Sequence, residues 1–450
     1  MWHRVVIAVL TLALAIAHSD HDVDVLEIEP WHLYEHGPGK HDWPLIISTG
    51  TEEIMREERK REGDWPLFSR ASDIFVKDRN RSQQRSKALR RKTRFGATRR
   101  PPDSTPSDPP PITVAVYYYP WYHTDFHGGN YIRGELDPPQ YPFLGEYNDR
   151  DPAVISQHLE WSRQANVGLW VSSWWGPGSG TDITIKNVIM NHPDLKEMKF
   201  CLHYEIMGRI DVETNSTRKV FGDMRYAAKT YFRDGNYYKI NNRPVVFVYL
   251  SRSLAKLGIL EQVIAMMRTA AFEEGHLVYI VGDHAFGSSP KTPLEAFKWL
   301  DAITNYDIFG AMGQPNGQAE MDSVQAYAAE QAEWRKAANA QGCAYIPGAT
   351  PGYNDKAVRQ GDYNAMSRKL DSVSPQGSLF EALLTEAKKL VDPSANNILI
   401  INSWNEWHED TQIEPVVADG ATAKPFYLTR GYVYEAYGEQ YLNILREATI

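Results

Sequence analysis

The stretch Asn396 to Pro415 reads Asn-Asn-Ile-Leu-Ile-Ile-Asn-Ser-Trp-Asn-Glu-Trp-His-Glu-Asp-Thr-Gln-Ile-Glu-Pro. Its four consecutive aliphatic residues, Ile398–Ile401, are typical of a β-strand that is buried on both faces. Two Trp, one His, three Glu and one Asp follow before the proline. Enzymes of the α/β class place their active sites at such strand ends. The two carboxylates nearest the strand, Glu406 and Glu409, are therefore the candidate catalytic pair.

The chain from Ile112 onward repeats this pattern of apolar run and polar end. Segments whose apolar residues recur at helical spacing lie between the runs. This alternation favours parallel strands joined by helical crossovers. Eight strand-like runs are predicted, at 112–119, 167–174, 199–204, 244–250, 277–282, 302–309, 343–349 and 398–403. Helices are predicted at 152–164, 254–274, 321–340, 378–390 and 430–445. Eight such units predict a (β/α)8 barrel, an α/β fold, with a doubly wound open sheet as the alternative.

The predicted strand ends carry aromatic and polar residues. Tyr119 and Trp121 lie at the end of the first run, and His203 and Glu205 lie at the end of the third. All carboxyl ends of a barrel meet on one face. The sequence therefore predicts an aromatic-walled, carboxylate-rich cleft.

The aromatic content of the chain is compatible with a carbohydrate ligand. The chain of 450 residues holds 13 Trp and 25 Tyr. Aromatic faces stack on sugar rings, although large core residues account for such an excess equally well. The net charge of −9 gives no support to a nucleic-acid partner.

Two carboxylates in an aromatic cleft indicate glycoside hydrolysis, which needs a proton donor and a second carboxylate. An exposed Glu-x-x-Glu pair on a helix, which is usually inert, is the alternative interpretation. The sequence has no G-x-S-x-G elbow, no P-loop and no H-E-x-x-H motif. The consecutive residues His408, Glu409 and Asp410 rarely aim at one ion, so no metal site is expected.

The N-terminal region differs from the rest of the chain. Residues 1–17 have the pattern of a secretory signal peptide, with an uncleaved signal anchor as the alternative. Residues 18–111 are basic and Pro-rich, which predicts a largely disordered stem or propeptide before a catalytic domain at 112–450. Asn80 and Asn215 lie in glycosylation sequons. Cys201 and Cys343 lie in apolar runs, so we expect two buried free thiols.

The segment Asn405–Glu414 resembles the signature of glycoside hydrolase family 99. It matches Asn-Glu-Trp-His-Glu-Gly-Thr-Gln-Ile-Glu at nine of ten positions, with Asp410 in place of Gly. Further matches are Tyr118–Tyr122, Ser173–Trp175 and Pro351–Asp355 with Arg359. The resemblance covers the chain from about residue 112 to its end.

The resemblance implies a (β/α)8 barrel that cleaves internal α-1,2-mannosyl bonds of N-glycans or mannans with retention. It implies a 1,2-anhydro sugar intermediate, with Glu406 as the base on the 2-hydroxyl and Glu409 as the general acid/base. No metal or organic cofactor is implied. The candidate substrate-binding residues are Tyr119, Trp121, Trp174, Trp175, His203, Glu205, Tyr306, Tyr353, Arg359, Asn405 and His408.

The expected setting is the secretory pathway, either the Golgi lumen or membrane or the outside of the cell. The expected partner is a mannose-containing oligosaccharide bound by a monomer, with membrane contact only if the N-terminal segment stays uncleaved.

The chain departs from the family after the third and fourth runs, where it reads Glu205-Ile206-Met207 and Tyr249-Leu250-Ser251. Trp175 stands where animal Golgi members tend to have Tyr. These differences leave open whether glucose or mannose occupies the subsite beyond the cleaved mannose. A catalytically silent glycan-binding barrel and a retaining glycosidase of other specificity are the alternative functions.

Overall fold

Eight parallel strands form the barrel that the sequence predicts. The strand order in the sheet follows the order of the strands along the chain. The structure is a computed structural model that describes residues 111–123, 126, 130–211, 216–292, 294–312, 319–359, 365–417, 421–422 and 426–450. The strands are β1 (Thr113–Tyr118), β2 (Val167–Trp174), β3 (Lys199–Tyr204), β4 (Arg243–Val248), β5 (Tyr279–Asp283), β6 (Ala302–Thr304), β7 (Ala344–Ile346 and Gly348–Ala349) and β8 (Ile398–Ile401).

The barrel closes through β7 and β8. Pro347 divides β7 into two segments, of which the first pairs with β6 (Ala302 beside Ala344). The second pairs with β8 (Gly348 beside Ile400). Strand β8 also pairs with β1, from Thr113 beside Ile398 to Val116 beside Ile401. Strand β8 therefore lies between β1 and β7 and is buried throughout.

The helices that surround the barrel are α1 (Pro152–Gln164), α2 (Gly180–Thr184), α3 (Arg218–Thr230), α4 (Ser251–Lys256), α5 (Leu260–Glu273), α6 (Ala296–Trp299), α7 (Ile308–Ala311), α8 (Met321–Ala340), α9 (Ser378–Lys388), α10 (Phe426–Thr429) and α11 (Gln440–Thr449). Local sequence explains where α1 begins: the Asp151 side chain accepts a hydrogen bond from the Ala153 amide, and Pro152 occupies the first turn.

Short antiparallel pairs lie outside the barrel. They join 141–142 with 416–417, 353–354 with 365–366, 421–422 with 434–435, and 239–240 with the start of β4.

Three sequence-based boundaries are corrected. The sixth run ends as a strand at Thr304, and Asp307 then caps α7 through the Gly310 amide. The single helix predicted at 254–274 is two helices, because Gly258 adopts a positive φ of 72° between them. The helix predicted at 430–445 begins only at Gln440.

Both cysteines are buried and free, as expected. Within the described residues, no helix combines the length and the hydropathy that a bilayer crossing requires. Residues 1–110, with the predicted signal peptide, nearly all of the stem and Asn80, lie outside the described residues, as does Asn215.

Candidate active site

The residues after β8 form a loop that is closed at its base by Ser403 and Thr411. The Ser403 amide donates to the Thr411 carbonyl at 2.8 Å, and their hydroxyls lie 2.9 Å apart. The Trp404 amide donates to the Tyr117 carbonyl, which ties the start of the loop to β1. Within this loop, a 3₁₀ turn at Trp407–Glu409 contains Glu409 and follows directly after Glu406.

Glu406 caps this turn. Its Oε1 accepts from the His408 amide at 3.0 Å and lies 2.9 Å from His408 Nδ1. The Glu406 amide donates to the Ser403 hydroxyl at 2.8 Å. These contacts hold the side chain within the cleft wall, where it is almost fully buried.

Glu409 points to a different partner. Its Oε1 accepts from Arg359 Nη2 at 2.9 Å. Glu409 is 15% exposed at its side chain, whereas the Glu406 side chain is 5% exposed. The two carboxyls therefore sit on one turn in unequal environments, one facing an imidazole and the other a guanidinium.

Burial shifts the proton affinities of the carboxyls in this cleft. It raises the pKa of Glu406 to about 8, with the His408 amide and Arg359 acting in the opposite direction. It raises the pKa of Glu409 to about 7, where Arg359 opposes the shift and Glu406 adds to it. Because Glu406 and Glu409 interact, they titrate together, and the pair retains protons near neutral pH.

Glu205, at the end of β3, is a third buried carboxyl. Its Oε1 accepts from the Ser173 hydroxyl at 2.8 Å and lies 3.5 Å from His203 Nδ1. Burial raises the pKa of Glu205 to about 8, and Glu406 and Glu409 raise it further by repulsion while Ser173 lowers it. Burial lowers the pKa of His203 to about 3, so this imidazole is neutral. A carboxyl that keeps its proton can donate a hydrogen bond to a ligand oxygen.

Aromatic rings line the cleft. Tyr119 and Tyr306 share a hydrogen bond between their hydroxyls. Tyr306 also packs against Tyr249 and His203, with ring centroids 5.1 and 5.9 Å apart. Trp121 lies over Tyr119 at 4.5 Å and meets the edge of His408 at 5.7 Å. The structure thus brings together five of the predicted site residues from β1, β3, β6 and β8. Trp175, just beyond β2, is partly exposed.

Two of the predicted substrate-binding residues occupy other places. Trp174 is fully buried, and its Nε1 donates to Asp182 at 2.9 Å among rings of the surrounding helices. Strand alternation turns it away from the barrel axis, so the expectation that it binds sugar is corrected. Asn405 is also fully buried and pairs with the Tyr119 main chain in both directions, at 2.8 and 3.0 Å. It joins β1 to the catalytic loop.

Asp410, which replaces the Gly of the signature, ends the turn. Its φ of 50° lies in the left-handed region, which explains the preference for Gly there. Its carboxylate turns away from the cleft and accepts from Arg133 Nε at 2.6 Å and from Arg368 Nη2 at 3.3 Å. Burial acts to raise the pKa of Asp410, but the two guanidiniums hold it below its ordinary value.

Glu414 anchors the far end of the signature, a role that the sequence analysis did not recognise. It accepts from Trp407 Nε1 at 2.8 Å and from the Tyr147 hydroxyl at 2.9 Å. The His158 ring lies 3.0 Å away, and the Tyr118 hydroxyl contacts its other nitrogen. No local pattern indicates His158, Arg133 or Arg368, because each reaches the loop from a distant part of the chain. Among the residues described, no group of three or more His, Cys, Asp or Glu is arranged to hold a metal ion.

Two family profiles match this chain. The profile described as "Glycosyl hydrolase family 99" matches residues 112–258. A second profile, described as "Glycosyltransferase WbsX", matches residues 210–423, which include the catalytic loop.

Individual proteins match over most of the barrel. The chain is 25% identical to the "Glycoprotein endo-alpha-1,2-mannosidase-like protein" of Homo sapiens over 337 residues, covering 67% of this chain and 68% of that protein. It is 25% identical to the "Glycoprotein endo-alpha-1,2-mannosidase" of Rattus norvegicus over 363 residues, covering 71% of each. The solved structure of the GH99 endo-alpha-mannosidase from Bacteroides thetaiotaomicron is similar with a TM-score of 0.50 and 21% identity, covering 74% of this chain and 98% of that one. That likeness shows the barrel fold.

Proposed function

Because the chain belongs to glycoside hydrolase family 99, we propose that it is a retaining endo-α-1,2-mannosidase acting on mannose-rich oligosaccharides. The names of the human and rat relatives support this substrate class. The observation that carries the proposal is the pair Glu406 and Glu409, which share one turn but have different partners, His408 and Arg359. One carboxyl acts on the sugar's own hydroxyl and the other on the leaving oxygen.

In the first step, Glu406 removes the proton of the 2-hydroxyl of the mannose that is cleaved. The 2-oxygen attacks the anomeric carbon, and the glycosidic bond breaks as Glu409 gives its proton to the leaving oxygen. The products are a 1,2-anhydro sugar and the remainder of the oligosaccharide. Glu406 is then protonated and Glu409 is a carboxylate.

In the second step, Glu409 removes a proton from water, and the water oxygen attacks the anomeric carbon. The bond between this carbon and the 2-oxygen breaks, and Glu406 returns the proton to the 2-oxygen. Two displacements at one carbon restore the starting configuration. Both carboxyls regain their initial protonation states, so no cofactor enters the balance.

The cleft walls support an oligosaccharide ligand. Trp121 is partly exposed beside Tyr119 and His408 and offers a face on which a sugar ring stacks, and Trp175 is partly exposed just beyond β2. Glu205 is placed to donate a hydrogen bond to a sugar oxygen when protonated. The residues after β3 and β4 differ from the usual family pattern, and Trp175 differs from the Tyr that is usual in animal Golgi members. These residues bear on whether glucose or mannose precedes the cleaved bond.

We assign the protein to the secretory pathway, in the Golgi or outside the cell, on the signal-like segment at residues 1–17. The partner is an N-glycan or mannan, and the protein works as a monomer. Expression of the full chain with a C-terminal tag, followed by fractionation and glycosidase treatment, tests this assignment. A tagged protein confined to the cytosol would contradict it.

The deciding experiment is incubation of the purified protein with glucosylated and unglucosylated high-mannose glycans. We expect release of a disaccharide or larger fragment with retained anomeric configuration. Binding without any release would indicate a silent glycan-binding barrel. Fragments from another linkage would indicate different specificity, and products that appear only with an added sugar donor would support the transferase profile.

A further inference from the structure

The loop after β7 holds Arg359 in a fixed position beside the catalytic turn. Asp355, which is 1% exposed, accepts from Arg359 Nη1 at 2.9 Å and from the Tyr353 hydroxyl at 3.0 Å. The Arg359 amide donates to the Asp355 carbonyl at 2.9 Å. Tyr353 itself stacks on Phe309 at 4.5 Å with nearly parallel rings. One edge of the guanidinium is thereby bound to its own loop, which leaves Nη2 directed at Glu409.

The contact of Nη2 with Glu409 Oε1, at 2.9 Å, joins two segments that lie 50 positions apart in sequence. The groups that act electrostatically on Glu409 come from several strand ends. Glu406 lies on its own turn, Glu205 follows β3, and Asp355 and Arg359 follow β7. The phenols of Tyr119, Tyr249, Tyr306 and Tyr353 complete the surroundings. In this setting of carboxyls and phenols, Arg359 supplies positive charge.

We propose that Arg359 is a positioning residue that sets how readily Glu409 gives up and takes back its proton, and that it is not primarily a sugar-binding residue. This inference rests on the proposed function, because it assigns Arg359 to the acid/base step. A guanidinium in contact favours the carboxylate form of its partner. Repulsion from Glu406 and Glu205 favours the protonated form, and Arg359 limits that effect.

The charge of Arg359 matters in both chemical steps. In the first, Glu409 becomes a carboxylate as it protonates the leaving oxygen, and the adjacent guanidinium stabilises the charge that develops. In the second, the carboxylate takes a proton from water, and a proton affinity near neutrality makes that transfer reversible. Without Arg359, Glu409 holds its proton too firmly to serve as an acid for an unactivated sugar.

The test is the pH dependence of kcat/KM for Arg359→Gln on a high-mannose glycan. We expect the alkaline limb to move upward by about one pH unit and the acid limb to move in the same direction, because loss of the cation raises the pKa of both Glu409 and Glu406. We expect kcat to fall about 10- to 100-fold with KM within about threefold of wild type. A substrate with a fluoride leaving group, which needs little protonation, should lose much less in its first step.

Arg225→Gln is the matched control. Arg225 forms a similar contact with Glu274, at 2.8 Å. The side chains of Arg225 and Glu274 are 50% and 14% exposed, and those of Arg359 and Glu409 are 55% and 15% exposed. It lies on α3, away from the cleft, so its pH profile should equal that of wild type. Arg359→Lys, which keeps the charge but cannot reach Asp355 and Glu409 together, should shift the limb by less than the Gln variant.

The inference is overturned if Arg359→Gln raises KM at unchanged kcat and pH profile, which is the behaviour of a sugar-binding residue. If Arg359→Gln does not fold, Arg359→Lys provides the test. A wild-type pH profile together with a raised KM in Arg359→Lys would also overturn the inference. Failure of the proposed function is a separate outcome, since wild-type protein would then release no fragment from these glycans.

Discussion

Asp410 turns its carboxylate onto Arg133, with Oδ1 2.6 Å from the guanidinium Nε, on the side of the catalytic turn opposite the cleft. The two residues lie 277 positions apart and are almost fully buried. Arg368 binds the same carboxylate and also donates to the Asp410 carbonyl at 2.8 Å. The third acidic residue of the signature therefore fixes the backbone that follows Glu409 and does not line the site.

Asp410→Gly should lower stability even though it restores the residue of the family signature. Gly relieves the left-handed backbone by about 1–2 kcal/mol. It also leaves Arg133 and Arg368 buried without their carboxylate, and breaking a buried pair costs about 3–5 kcal/mol. We expect the free energy of unfolding to fall by about 1–4 kcal/mol, measured by denaturant titration.

The coupling can be isolated by adding Arg133→Met. If the two arginines and Asp410 act together, the double variant should lose at least about 1 kcal/mol less than the sum of the single changes. A gain of stability in Asp410→Gly alone would mean that backbone strain outweighs the ion pairs.

Glu409→Gln should lower kcat by a factor of about 10²–10⁴ on an unactivated glycan and leave the dissociation constant nearly unchanged. The amide keeps the shape of the side chain and the contact with Arg359 but has no proton to give. Glu406→Gln should show a similar loss by removing the base. Turnover assays and calorimetric binding on the same preparations separate the two effects. Near-normal rates in either variant would refute its assignment.

The wild-type pH profile of kcat/KM should be bell-shaped, with its maximum between about pH 7 and 8. The productive form, with Glu406 charged and Glu409 neutral, is the minor of the two singly protonated forms, and its share also peaks where the pair holds one proton. Burial raises the pKa of these groups to about 8 and about 7 respectively, with Arg359 opposing both shifts. Both carboxyls hold protons below this interval and both lose them above it, so activity falls on each side. An optimum near pH 4 to 5 would contradict the burial of the pair.

Glu406→Gln should make the protein more stable in alkaline solution. The pKa of this carboxyl is raised by burial from 4.5 to about 8, so its favourable contribution is complete below about pH 4.5. It is lost progressively as the pH rises towards 8. The variant has no such loss, and we expect it to exceed wild type by about 1 kcal/mol or more at pH 9, with no gain at pH 4.5.

Thermal melts at several pH values measure this difference. Glu160→Gln is the control, because Glu160 lies on the surface of α1 with its side chain 52% exposed. Its curve should run parallel to that of wild type. If the curve of Glu406→Gln also ran parallel to that of wild type, ionisation of Glu406 would not lower the stability of the folded protein.

Trp121→Ala and Trp174→Phe should separate a cleft residue from a core residue. Loss of the Trp121 face should raise KM about three- to tenfold without much change in stability. Trp174→Phe removes the hydrogen bond to buried Asp182, so it should cost about 1–3 kcal/mol of stability and leave KM unchanged. A raised KM in folded Trp174→Phe would restore the original prediction for that residue.

Local pattern was enough to predict the barrel and to place the candidate pair Glu406 and Glu409 after its last strand. The run Ile398–Ile401 is apolar because both its faces are covered, and the helix that begins at Pro152 carries its own cap. Parallel strands bring their carboxyl ends together whatever the details of packing. For this reason Glu406 and Glu409 could be identified from their place after the last strand.

The direction of individual side chains was decided by tertiary structure. Two adjacent tryptophans, Trp174 and Trp175, look alike in sequence, but the first turns into the helix layer and the second is partly exposed. The sequence shows that Asp410 replaces Gly in the signature, but only the structure shows that its carboxylate binds Arg133 and Arg368. Such contacts join distant segments, and their energies depend on burial and charge that no local window contains. The sequence by itself determined which residues reach the end of the barrel, and only the packed structure determined which of them face the substrate.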